Sequence, residues 1–98
     1  MSNINAIKFS YVRRKALRAE YEGRRTQSTF SMFGQSPRDG SYWSDVEKEM
    51  LINKIEQMPV ITPANICDLA EFHGRNPCAI DSMAERIMGN GYLSRIKL

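Results

Sequence analysis

Apolar residues recur along this chain mostly at helical spacing, in four stretches separated by proline, glycine and polar runs. Residues 5–24 contain good helix formers and no proline. Gly23 with Arg24 and Arg25 then suits a helix C-terminus, where glycine and cations are favoured. The predicted helix has two stripes. Phe9, Val12, Ala16 and Ala19 form one, a candidate self-association face. Ile7, Tyr11, Arg14, Arg18, Tyr21 and Arg25 form the other and mix aromatic with basic side chains. Residues 26–42 are rich in Ser, Thr, Gly and Pro, and read as a linker whose clearest turn is Ser36 to Gly40. Phe30, Met32 and Phe33 stand out inside it: they either dock on the rest of the molecule or form a short partner-binding patch.

From Trp43 onward the punctuation sharpens. Ser44-Asp45-Val46-Glu47 fits a capping box, in which the serine accepts from a free backbone N–H and the glutamate reaches back, so a helix starts at Asp45 and stops before Pro59. Val46, Met50, Leu51, Ile55 and Met58 are its predicted inner face, with Glu47, Lys48, Lys54 and Glu56 largely elsewhere. Val60 and Ile61 make a short extended piece. Thr62-Pro63 is a second start, a capping hydroxyl followed by proline where its missing N–H is no loss. That helix runs to about Phe72 with Ile66, Leu69, Ala70 and His73 inward, and His73-Gly74 stops it. Asn76-Pro77 repeats the device and opens a third helix with the stripe Ile80, Met83, Ala84, Ile87 and Met88, ended by Gly89-Asn90-Gly91. Tyr92 to Leu98 alternate, which predicts a short strand with Tyr92, Ile96 and Leu98 on one face.

Composition narrows the class. Ninety-eight residues allow one small domain and a tail, which disfavours an enzyme with a deep pocket. No apolar run approaches the ~18 residues of a membrane span, and the N-terminus lacks the apolar core of a secretory signal. The two cysteines, Cys67 and Cys78, are too few for a disulfide framework, so the expected location is the cytoplasm. The net charge of +3 is unevenly placed: residues 1–42 carry eight basic residues against three acids, and residues 43–98 carry six against eight. The predicted organisation is a basic helix over 1–25, a linker over 26–42 and a slightly acidic body over 43–98.

The stretch ITPANICDLAEFHGRNPCAIDSMAERIMGNGYLSRI resembles the second helix, turn, recognition helix and first wing strand of winged helix-turn-helix domains, a likeness covering residues 43–98. Trp43 and the segment GRNPCAI also resemble Myb-like and SANT-like domains, which share the three-helix core but lack the wing. The resemblance implies a mostly α fold: a three-helix helix-turn-helix core with a short β wing, preceded by the basic helix. It further implies that double-stranded DNA meets Arg75, Asn76, Cys78, Ala79, Ser82 and Arg86, with Arg95 and Lys97 of the wing on phosphates. Arg75 would read guanine or hold a phosphate, and Asn76 would either cap the helix or read adenine.

Two acids complicate this expectation. Asp81 and Glu85 fall on or near the exposed face of the same helix, where phosphates would repel them. DNA affinity would then depend on Arg13, Arg14, Lys15, Arg18, Arg24 and Arg25 of the N-terminal helix, with Tyr11 and Tyr21 packing or stacking. The leading expectation is a small DNA-binding regulator; the bland alternative for the basic stripe is a solvated amphipathic helix. The rival, from another class, is a protein-binding inhibitor or adaptor of the kind phages and mobile elements encode. It would bind a host protein such as a transcription or nucleic-acid enzyme, using Phe30, Met32 and Phe33 with the acids Asp68, Glu71, Asp81 and Glu85. RNA binding by the arginine-rich helix alone is a lesser reading. No cofactor is expected. Cys67, His73 and Cys78 lack zinc-site spacing, and the lone His73 leaves no Ser/His/Asp set. Cysteines and methionines read as packing residues, and His73 as a helix-terminal group.

Overall fold

The computed structural model describes residues 10–23 and 42–98. Ile7, Phe9, Arg24, Arg25, Phe30, Met32, Phe33 and the turn at 36–40 lie outside the described residues. The described chain is mostly helical: α1 (Ser10–Gly23), α2 (Asp45–Glu56), α3 (Pro63–His73), α4 (Pro77–Met88) and the single turn α5 (Asn90–Leu93).

The helix starts form where the capping residues predict. Ser44 Oγ accepts from Glu47 N at 3.1 Å, and Thr62 and Asn65 complete a reciprocal capping box in front of Pro63. Asn76 Oδ1 accepts from Cys78 N at 2.8 Å ahead of Pro77. Gly74 ends α3 in the left-handed region (φ 66°, ψ 31°). Arg75 N donates to Ala70 O and Gly74 N to Glu71 O, the paired bonds of a Schellman motif. Gly89 (φ 55°, ψ −125°) ends α4 in a conformation that L side chains rarely adopt.

The core gathers Leu51 and Ile55 of α2, Ile66, Leu69 and Ala70 of α3, Ile80 and Ala84 of α4, and Leu17, Ile61, Tyr92, Leu93 and Ile96. The inward faces of α3 and α4 follow their predicted stripes, with Met83, Ile87 and Met88 packed at the core's margin. The face of α2 does not. Val46 and Met50 are 68% and 40% exposed, while Glu47 is buried in line with Leu51 and Ile55. The apolar pattern therefore placed this helix about one position out of rotation, because the buried stripe begins with a carboxylate whose partners lie far along the chain.

Residues 92–98 do not form the expected strand, and the described residues hold no β wing. Tyr92 and Leu93 are adjacent and both buried, which strand alternation forbids and a helical turn allows. The only strand-like pairing among the described residues is one parallel bridge between Ile61 and Ile96. Ile61 N donates to Arg95 O at 2.7 Å and Lys97 N to Ile61 O at 2.8 Å.

The N-terminal helix is not a free arm, since α1 packs on α3 and α4. Its buried residues are Arg13 and Leu17, with Val12 and Ala16 half-buried and Ala19 exposed. The stripe predicted for self-association is thus split between the docked flank and solvent.

Candidate nucleic-acid interface

Two ionic clusters determine which side chains remain outward. In the first, Glu47 of α2 takes a bidentate pair from Arg75, Nε to Oε2 and Nη2 to Oε1, both at 2.8 Å. His73 Nδ1 donates to Glu47 Oε2 at 3.0 Å. Arg75 Nη2 also donates to Tyr42 O at 3.1 Å, and its guanidinium lies 4.1 Å from the centre of the Trp43 ring. Arg75 is buried and fully engaged in joining α2 to the α3–α4 turn. The expectation that it meets a base or phosphate is overturned. Asn76 is likewise buried as the α4 cap, which removes its adenine-reading role.

In the second cluster, Arg13 of α1 is completely buried. Its Nε donates to Asp81 Oδ1 and Oδ2 at 2.9 and 3.2 Å, and its Nη2 donates to Glu85. Tyr92 donates its hydroxyl to Asp81 Oδ1 at 2.6 Å. Burial, and then the Asp81 charge, push the Tyr92 phenol well above its ordinary value. Arg13 is therefore not a phosphate contact. Asp81 is no exposed acid facing a partner, and Glu85, with a side chain 38% exposed, forms the cluster's open edge.

Arg95 and Lys97 part company. Arg95 donates from Nε to Gly91 O at 2.8 Å and from Nη1 to Met58 O and Ile55 O at 3.0 and 3.4 Å. It caps the C-terminal end of α2 rather than lying on a wing. Lys97 is exposed.

Exposed residues remain on both α1 and α4. Tyr11, Arg14, Lys15 and Arg18 are exposed and line an open groove of about 300 Å³. On α4, Ser82 and Arg86 are exposed and Ala79 is half-buried. The two helices meet at Cys78: burial and Asp81 push its thiol up, while Arg14 and Arg18 are close enough to pull it down. Both cations of α1 thus bear electrostatically on the thiol in the first turn of α4. Among the described residues no cluster of His, Cys, Asp and Glu has the makings of a metal site, and no helix is long and apolar enough to cross a membrane.

The outward cations are legible in the sequence, and the two clusters are not. One signal was available, because Glu47 lies four and eight residues before Leu51 and Ile55, on their stripe. For Arg13 and Asp81, 68 positions apart, no local signal exists. Comparisons with family models, curated proteins and solved structures find no match to this chain.

Proposed function

We propose that the protein is a small DNA-binding regulator in which α2, α3 and α4 form a helix-turn-helix core and α1 supplies the main phosphate contacts. The observation that carries this reading is the docking of α1 beside α4. It turns one cation of α1 inward onto the acids of α4 and leaves Arg14, Lys15 and Arg18 of α1 exposed, as Ser82 and Arg86 of α4 are. The acids of α1 itself, Glu20 and Glu22, fall in its last turn. With Arg75 and Asn76 committed to the fold, only Cys78, Ala79, Ser82 and Arg86 of the expected set on α4 remain to approach base edges, so phosphate contacts dominate and base discrimination is modest. Anisotropy titration of labelled duplexes against salt tests this. Wild type binds at low salt, and Arg14→Ala/Lys15→Ala/Arg18→Ala binds at least ~10-fold more weakly with a shallower salt slope, since each lost phosphate contact removes roughly 0.9 from it. Failure of wild type to bind any duplex at low salt overturns the proposal.

A second reading rests on a different face. Val46 and Met50 on α2 and Phe72 on α3 are exposed, with Lys54, one turn beyond Met50, placing its ammonium 4.3 Å from the centre of the Phe72 ring. This is the surface on which a protein-binding adaptor would act, in place of Asp81 and Glu85. Recovery of a stoichiometric protein from nuclease-treated lysate, lost on Met50→Asp, favours it; recovery unaffected by that change counts against it.

A further inference from the structure

We infer that Arg13 is a positioning residue for the polyanion-binding face: it touches no ligand, and it masks the two carboxylates of α4 so that α4 can lie against phosphates. The inference rests on the DNA-binding reading above and deepens it, because it makes docking of α1 and binding of DNA one linked equilibrium.

Asp81 and Glu85 lie one turn apart on α4, between the core residues Ile80 and Ala84 and the outward Ser82 and Arg86. Left to themselves they would put two negative charges beside the phosphates. Arg13 answers both: its Nε spans the two oxygens of Asp81 and its Nη2 reaches Glu85. Asp81 is further held by the Tyr92 hydroxyl, so its inward rotamer is fixed from the core side as well. Arg13 thereby sets one positive charge against the two acids, of which Glu85 is the one whose side chain remains 38% exposed.

The same helix that carries the mask carries the outward cations. Arg13 points into the body, while Arg14 and Arg18 are exposed on the helix that packs on α4. Undocking α1 would remove the cations from this face and expose both acids in a single step. By linkage, whatever binds the docked state stabilises the docking. A plain structural glue would give no such coupling of charge to affinity.

The test measures duplex affinity across salt, with hydrogen exchange of residues 10–23, for wild type, Arg13→Met, Glu85→Gln and the charge-free variant Arg13→Met/Asp81→Leu/Glu85→Gln. Glu85→Gln removes the residual negative charge while Arg13 still holds Asp81. It is expected to bind about two- to fivefold tighter with an unchanged salt slope, the effect of one unit charge felt across several ångströms of water. Arg13→Met is expected to bind about tenfold more weakly and to lose exchange protection in α1. The charge-free variant, in which an apolar contact replaces the ions, returns to wild-type affinity or better. Saturating duplex raises the protection of α1 in wild type. If Arg13→Met does not fold, Glu85→Gln and the charge-free variant decide. The inference is overturned if wild type binds and Glu85→Gln binds no more tightly, or if a folded Arg13→Met binds as wild type does. A wild type that binds no duplex fails the DNA-binding reading instead.

Discussion

The two ionic clusters use nearly the same chemistry and do different work. Glu47, Arg75 and His73 are all buried and belong to segments close in the fold, with Trp43 covering the guanidinium. The cluster is closed, and it joins α2 to the α3–α4 turn. Arg13, Asp81 and Glu85 span α1 and the body, and one edge is open at Glu85. A closed cluster cannot be relieved without opening the body. An open cluster at a helix's attachment point can be relieved by letting that helix leave, which limits what breaking it can cost. A buried ion pair is therefore not one kind of element: its consequence depends on which segment is free to move away.

The largest expected effect is on the closed cluster. Glu47→Ala leaves the Arg75 guanidinium buried without its carboxylate, and chemical denaturation should show a loss of about 3–5 kcal/mol. A loss below ~1 kcal/mol would show that water reaches Arg75 and that the two clusters are alike. Arg13→Ala comes next. Its cost is bounded by the free energy of docking α1, so hydrogen exchange should lose protection in residues 10–23 while α2, α3 and α4 retain theirs; uniform loss across both would erase the contrast.

Tyr92 sharpens the comparison through pH. Its phenol is pushed above the ordinary value of ~10, so the folded state holds the proton more tightly than the unfolded chain. That contribution is fully present below pH ~10 and declines as pH rises beyond it. Tyr92→Phe should cost about 1.5–3 kcal/mol at neutral pH through the lost bond to Asp81. Its stability should also fall less steeply than wild type between pH 9 and 11 in urea titrations. Smaller again, Gly74→Ala places a side chain in a left-handed position and should cost about 1–2 kcal/mol. Val46→Thr, on a residue that the apolar pattern assigned to the core, should change stability by no more than about 0.5 kcal/mol.

Local features were legible in the sequence where a few neighbouring residues decide them. Ser44, Thr62 and Asn76 cap the helices they precede, and Gly74 and Gly89 end the ones they follow, because each satisfies or releases backbone groups within one turn. The inward faces of α3 and α4 followed from their stripes. The rotation of α2 did not, since hydropathy treats Glu47 as a surface residue and has no means of seeing Arg75 and His73 behind it. The strand at 92–98 failed because alternation was present but the backbone closes a helical turn instead, Leu93 N donating to Gly89 O and Ser94 N to Asn90 O, which buries Leu93 beside Tyr92. In the candidate interface the exposed Arg14, Lys15, Arg18, Ser82 and Arg86 were legible as outward residues. The withdrawal of Arg13, Arg75 and Arg95 was not, whereas that of Asn76 followed from its place as a helix cap.

The bodies of α2, α3 and α4, their caps and the basic character of the N-terminal segment are written locally in the chain, since each depends on contacts within about a turn. Which charges turn inside and which face out emerges only when the helices pack together. That choice rests on pairs such as Arg13 with Asp81, whose stabilisation exists only once folding has excluded water from between two residues 68 positions apart.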